Sequence, residues 1–91
     1  MKYILCYDIT DDRRLRRVVK IMEGSAYRVQ KSVFEGFFDP KELKELFTRV
    51  KDEIDEKEDS IRVYRLCEPC DRAVTIIGIG DRIEPKPYIV L

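Results

Sequence analysis

Apolar and polar positions along this chain follow two rhythms, and the changes between them mark out its elements. Residues 2–8 (KYILCYD) form an almost unbroken apolar run that stops at an aspartate, which predicts a buried strand. Thr10 follows as an N-cap, with Asp11 and Asp12 in a first turn where the helix dipole favours negative charge. Leu15, Val18, Val19 and Met22 then recur at helical spacing, and Gly24 closes the helix as the residue beyond its cap. Residues 27–30 (YRVQ) and 32–37 (SVFEGF) read as two short strands meeting near Lys31, a hairpin or one bent ribbon, with a bulge suggested at Gly36.

The second helix is signposted by Asp39 as N-cap, Pro40 in the first helical position and Glu42 completing a capping box. Phe38 stands where it can staple onto Leu43, and Leu43, Leu46, Phe47, Val50 and Ile54 continue one apolar face. Residues 60–66 (SIRVYRL) alternate as a half-buried strand should, and residues 73–79 (AVTIIGI) read as another. Beyond Gly80 lie a proline-spaced linker and an apolar tail, Tyr88–Leu91.

The order is β-α-β-β-α-β with an additional C-terminal strand, an α+β arrangement of the ferredoxin-like kind. Residues 1–80 form the domain, and residues 81–91 a linker and tail that adds an edge strand at a subunit interface. A core this modest and a tail this apolar favour a homodimer.

Composition narrows the chemistry. The 91 residues carry 18 basic and 18 acidic side chains and no histidine, which excludes histidine-based triads, imidazole metal ligands and imidazole general bases. Charged residues make up 40%, against about 25% in an ordinary domain, and asparagine is absent, a composition that suits heat. The balance is uneven along the chain: residues 1–37 hold eight basic and five acidic side chains, and residues 38–60 five and nine. No apolar run reaches the ~20 residues of a membrane span. The N-terminal residues lack the pattern of a signal peptide, so a cytoplasmic protein is expected.

Asp8 is the leading candidate for chemistry, since it ends an apolar strand just before a helix, at the mouth of the sheet. Its alternative is local, a turn cap or a partner for an arginine. One carboxylate is a poor metal site, but a two-fold axis could bring two copies onto one divalent ion. Arg13, Arg14, Arg16 and Arg17 cluster on the first helix, with Tyr7, Tyr27, Arg28 and Phe34 adding cations and rings. Such a set suits phosphate contact and base stacking, or equally a salt-bridged helix surface. Cys67 and Cys70 form CEPC, read as a turn with a disulfide staple as an option; a redox pair should open a helix, and zinc needs more ligands than one chain supplies. No phosphate-loop or dinucleotide motif is present, which excludes an ATPase or a nicotinamide enzyme.

The strand ending YDITDD, the arginine-rich helix after it, YRVQKSVFEG and DSIRVYRL together resemble the CRISPR-associated protein two family across residues 2–66. The resemblance implies a homodimer whose C-terminal strand contributes across the interface. It also implies a metal-dependent endonuclease on RNA or double-stranded DNA, which serves spacer acquisition and antiviral defence. The alternative it carries is a non-catalytic dimeric scaffold that binds DNA and the CRISPR integrase subunits. Carried over, the family's metal-binding aspartate falls on Asp8, which would hold Mg²⁺ or Mn²⁺, with Tyr7 before it. Arg17 matches the helix-one arginine, and Arg28, Ser32 and Phe34 match the strands beside the cleft. Phosphates would meet Arg13, Arg14, Arg16, Arg17 and Arg28. A ferredoxin-like small-molecule sensor is a third reading, which predicts no salt-dependent nucleic-acid affinity.

Overall fold

A computed structural model describes residues 1–83. Its elements are β1 (Lys2–Asp8), α1 (Asp12–Glu23), β2 (Tyr27–Gln30), β3 (Val33–Phe37), α2 (Pro40–Lys51), β4 (Ser60–Leu66) and α3 (Glu68–Arg72). The four strands form one antiparallel sheet in the order β2-β3-β1-β4, so the expected β-α-β-β-α-β arrangement holds.

Strand periodicity decides which side chains meet the helices. Leu5 and Tyr7 of β1 and Phe34 of β3 are buried against Val18 and Met22 of α1 and Leu46 and Val50 of α2. Ile61 and Val63 of β4 pack on the same core. Truncating Phe34, which has no exposed surface, to alanine would cost about 3–5 kcal/mol. The opposite sheet face carries Ile4 and Cys6 of β1 with their cross-strand neighbours Glu35, Val33, Tyr64 and Arg62.

Several local expectations shift by a residue, each for a visible reason. Asp11 caps α1, accepting from the Arg14 amide at 3.0 Å, in place of Thr10. The Thr10 hydroxyl is drawn away to Asp59 at 3.3 Å. Gly24 is the C-cap itself, in right-handed conformation (φ −70°), not a left-handed residue beyond it. The register of the β2–β3 hairpin slips between Arg28 and Gln30, so the irregularity lies in β2 and not at Gly36. Gly36 pairs regularly with Tyr3 and is small because a Cβ there would stand 2.8 Å from the Phe38 ring and 3.0 Å from the Ala26 Cβ. The helix α2 has the full capping box between Asp39 and Glu42 with Pro40 in its first turn.

The strand expected at 73–79 does not form. After β4 the chain enters α3, with Cys67 as N-cap and Pro69 in the first turn, and residues 74–83 carry no strand. Pro69 supplies no amide donor and a fixed φ, which suits a helix start and not a turn between strands. Gly78 and Gly80 adopt φ of 94° and 147°, conformations that break extended pairing. CEPC is accordingly the start of a helix, and its cysteines are free thiols. Residues 81–83 are not strand, and the expected edge strand of the tail falls on residues 84–91, outside the described residues.

Lys2 anchors this last segment. It is buried, and its ammonium donates to Asp71 Oδ1 at 2.7 Å and the Ile83 carbonyl at 3.0 Å, and pairs with Glu35 at 2.9 Å. Burial alone would lower its pKa, but Asp71 and Glu35 outweigh that and hold it above the usual lysine value. Arg82 closes on the other Asp71 oxygen at 3.0 Å.

Candidate functional site

Two structural clamps flank Asp8, one on each side of the strand end that carries it. The first is built around the β2–β3 turn. The Tyr7 hydroxyl donates to the Lys31 carbonyl at 2.8 Å, and the Arg28 guanidinium donates to that same oxygen at 2.6 Å. Arg28 also reaches the Tyr7 hydroxyl at 3.4 Å and lies 5.8 Å from the centre of the Phe34 ring, a cation–π distance. The Tyr7 amide donates to the Ser32 carbonyl at 3.2 Å. The structure thus brings Tyr7, Arg28, Ser32 and Phe34 together, with Ser32 taking part through its backbone.

The second clamp is centred on Asp59, whose carboxylate is enclosed. It accepts from Arg14 Nε at 2.7 Å, the Thr10 amide at 3.1 Å and the Asp55 amide at 2.9 Å. The Arg14 guanidinium is the chief reason its carboxyl titrates far below the usual aspartate range, with the two amides adding to the effect. This cluster ties the loop after β1 to the loop before β4. Asp8 itself faces Ser60 across the β1–β4 ladder, one residue from Asp59.

Asp8 is exposed, and its carboxylate makes no hydrogen bond or ion pair among the described residues. Asp11, not Asp8, caps α1, and neither local role read for Asp8, a turn cap or an arginine partner, is found among the described residues. As an unneutralised carboxylate on a braced strand end, Asp8 has the chemistry of a ligand for a hard cation. Among the described residues no group of three acidic or thiol side chains could hold a metal ion, so one chain offers a single ligand and a pair of chains would be needed.

The arginines of α1 divide into two kinds. Arg14 turns inward to Asp59 and, at 3.3 Å, to Glu58, so its charge is spent within the fold. Arg17 pairs at 3.6 Å with Glu53, beyond the end of α2. Arg13 and Arg16 are exposed and make no side-chain hydrogen bond or ion pair among the described residues.

The profile described as CRISPR associated protein Cas2 matches residues 1–74. The chain belongs to the Cas2 family. It is 39% identical over 83 residues to a CRISPR-associated endoribonuclease Cas2 of Thermodesulfovibrio yellowstonii, covering 91% of this chain and 89% of the relative. A protein of the same description from Chloroflexus aurantiacus is 40% identical over 96% of this chain and 95% of its own length. Among solved structures, Streptococcus pyogenes Cas2 superposes with a TM-score of 0.76 at 37% identity, over 86% of this chain and all (100%) of that one. A chain of a partial Cas6-RT-Cas1–Cas2 complex superposes with a TM-score of 0.78 at 29% identity, over 99% of this chain and 98% of that one.

Sequence reasoning gave Asp59 no role, Thr10 only that of a helix cap and Lys31 only that of a strand junction. Lys31 contributes only a carbonyl, which no side-chain pattern announces. Asp59 lies in the acidic run EIDEKEDS, where nothing separates a buried carboxylate from solvated neighbours. The one available signal was its place immediately before β4, opposite the end of the strand that bears Asp8. Among the described residues, no helix is long and apolar enough to cross a membrane.

Proposed function

We propose that this chain acts in CRISPR adaptation as a homodimeric, divalent-metal-dependent endonuclease of the cytoplasm. Two Asp8 carboxylates, one from each subunit, would hold Mg²⁺ or Mn²⁺. The observation that carries this reading is the Asp8 carboxylate between the two clamps, without a partner among the described residues. Dimerisation is supported by the apolar surface left in water: Tyr64 is half exposed, and Ile77 and Ile79 are exposed almost fully. When bound, the cation supplies positive charge for the scissile phosphate and acidifies its water. The chain's own residues do the rest: Asp8 provides the ligand, and Tyr7 and Arg28 hold the Lys31 turn beside it. With no histidine in the sequence, no imidazole serves as general base.

A second reading, a scaffold for DNA and integrase subunits, is favoured by the exposed Arg13 and Arg16, which form no ion pair among the described residues, and by the relative seen with Cas1. One experiment separates them. Wild type and Asp8→Asn are incubated with matched single-stranded RNA and double-stranded DNA in Mg²⁺, Mn²⁺ or EDTA. The nuclease reading expects metal-dependent cleavage that falls by on the order of 100-fold or more in the variant. Cleavage equal in both proteins, insensitive to EDTA, or absent from wild type overturns it. Duplex binding retained by Asp8→Asn in the last case leaves the scaffold.

A further inference from the structure

CEPC takes no part in the site above, yet its two thiols are placed with respect to each other. Cys67 ends the extended chain after β4 (φ −67°, ψ 160°) as the N-cap of α3, and Cys70 is the third helical residue. The Asp71 amide donates to the Cys67 carbonyl at 2.9 Å, closing the turn between them. The N-cap and third helical positions are those from which Asp39 and Glu42 reach each other's backbone in α2, so side chains there overlie one turn. Both cysteines are exposed, whereas Cys6 is half-buried in β1.

We infer that Cys67 and Cys70 form a thiol–disulfide exchange site for low-molecular-weight disulfides, with Cys67 as the attacking thiol and Cys70 as the resolving one. The Cys70 thiol, together with its backbone amide, holds Cys67 below the usual cysteine value, while the same contact pushes Cys70 up. Cys67 thus supplies thiolate first. Its sulfur attacks one sulfur of the disulfide, which releases the first small thiolate and leaves a mixed disulfide on Cys67. Cys70, losing its proton to solvent, attacks the Cys67 sulfur and expels the second thiolate. Two protein thiols are oxidised to one disulfide, and one small disulfide is reduced to two thiols.

Cys67 lies in extended backbone just outside the helix and Cys70 in its first turn. Both thiols are exposed, so a disulfide between them stays open to attack by small thiols, which favours an exchangeable bond over a permanent one. Among the described residues no third metal ligand joins the pair.

The test uses the reduced full chain, oxidised glutathione as the probe, and mass analysis of the peptides. Wild type and Cys6→Ser should each lose two hydrogen atoms within residues 67–70, carry no adduct, and recover on adding excess thiol. Cys70→Ser should accumulate one glutathione on Cys67, and brief alkylation of reduced wild type should label Cys67 about tenfold ahead of Cys70. Stable double adducts, cross-links between chains, equal labelling of the two wild-type thiols, or bound zinc that blocks both thiols would each overturn the assignment.

Discussion

Arg14 Nε donates to Asp59 Oδ2 at 2.7 Å, joining a helix from the first third of the chain to the residue just before β4. The pair turns an arginine that the sequence offers to nucleic acid into part of the frame that fixes the loop after Asp8. Its partner is enclosed and satisfied on every side, so loss of either member leaves the other uncompensated.

Asp59→Asn should lower the thermal midpoint by several degrees at neutral pH, and the loss should depend on acidity. The folded-state pKa lies below the unfolded value of 3.8, so the contribution is complete above that value. It fades as pH falls towards the folded value. Thermal melts of wild type and variant should therefore converge as the pH drops below about 4. A gap that persists unchanged under acid would contradict the ion-pair account.

The two kinds of arginine on α1 predict opposite behaviour on charge reversal. Arg13→Glu with Arg16→Glu should move the melting midpoint far less than Arg14→Glu, the one loss being the attraction of Arg13 for the Asp11 cap. Duplex affinity should weaken, and the dependence of log affinity on log salt should become shallower by about two. Arg14→Glu should instead set a carboxylate against Asp59 and lower the midpoint. Salt titrations by fluorescence anisotropy, beside melts of the same preparations, distinguish these outcomes.

Gly36→Ala places a methyl 2.8 Å from the Phe38 ring and 3.0 Å from the Ala26 Cβ, so one of these neighbours must shift to admit it. It should cost about 1–3 kcal/mol, read from denaturant melts. A neutral result would mean that Phe38 can leave its edge-to-face contact with Tyr3, 6.2 Å between ring centres.

Four strands and two helices were readable because each carried redundant local signals. Pro40, Asp39 and Glu42 all marked one boundary, and the structure keeps every part of that pattern. The stretch after β4 was not readable, because AVTIIGI has the composition of a strand yet pairs with neither edge strand of the sheet, β2 or β4, among the described residues. Its β-branched residues report only a liking for pleated surroundings, and local helix signals at Cys67 and Pro69 prevailed upstream. Candidate-site residues separated along the same line. Tyr7, Arg28, Ser32 and Phe34 lie within or beside paired strands, so register alone gathers them. Asp59 needed the tertiary fold to reveal it, since charge in a run of charge carries no address.

The burial of Lys2 has a consequence for the order in which the molecule can assemble. It sits in β1, a central strand of the sheet, and its Asp71 and Ile83 partners lie 69 and 81 residues further along the chain. On the ribosome, β1 emerges early but cannot acquire its second neighbour until β4 has been made. Lys2, at the start of β1, stays hydrated until the chain has grown past α3. Helices α1 and α2 and the β2–β3 hairpin can form from nearby contacts, whereas closure of the sheet waits for long-range pairing. Completing the sheet and burying Lys2 therefore require the two ends of the described chain to meet, a step that local folding of the middle cannot replace.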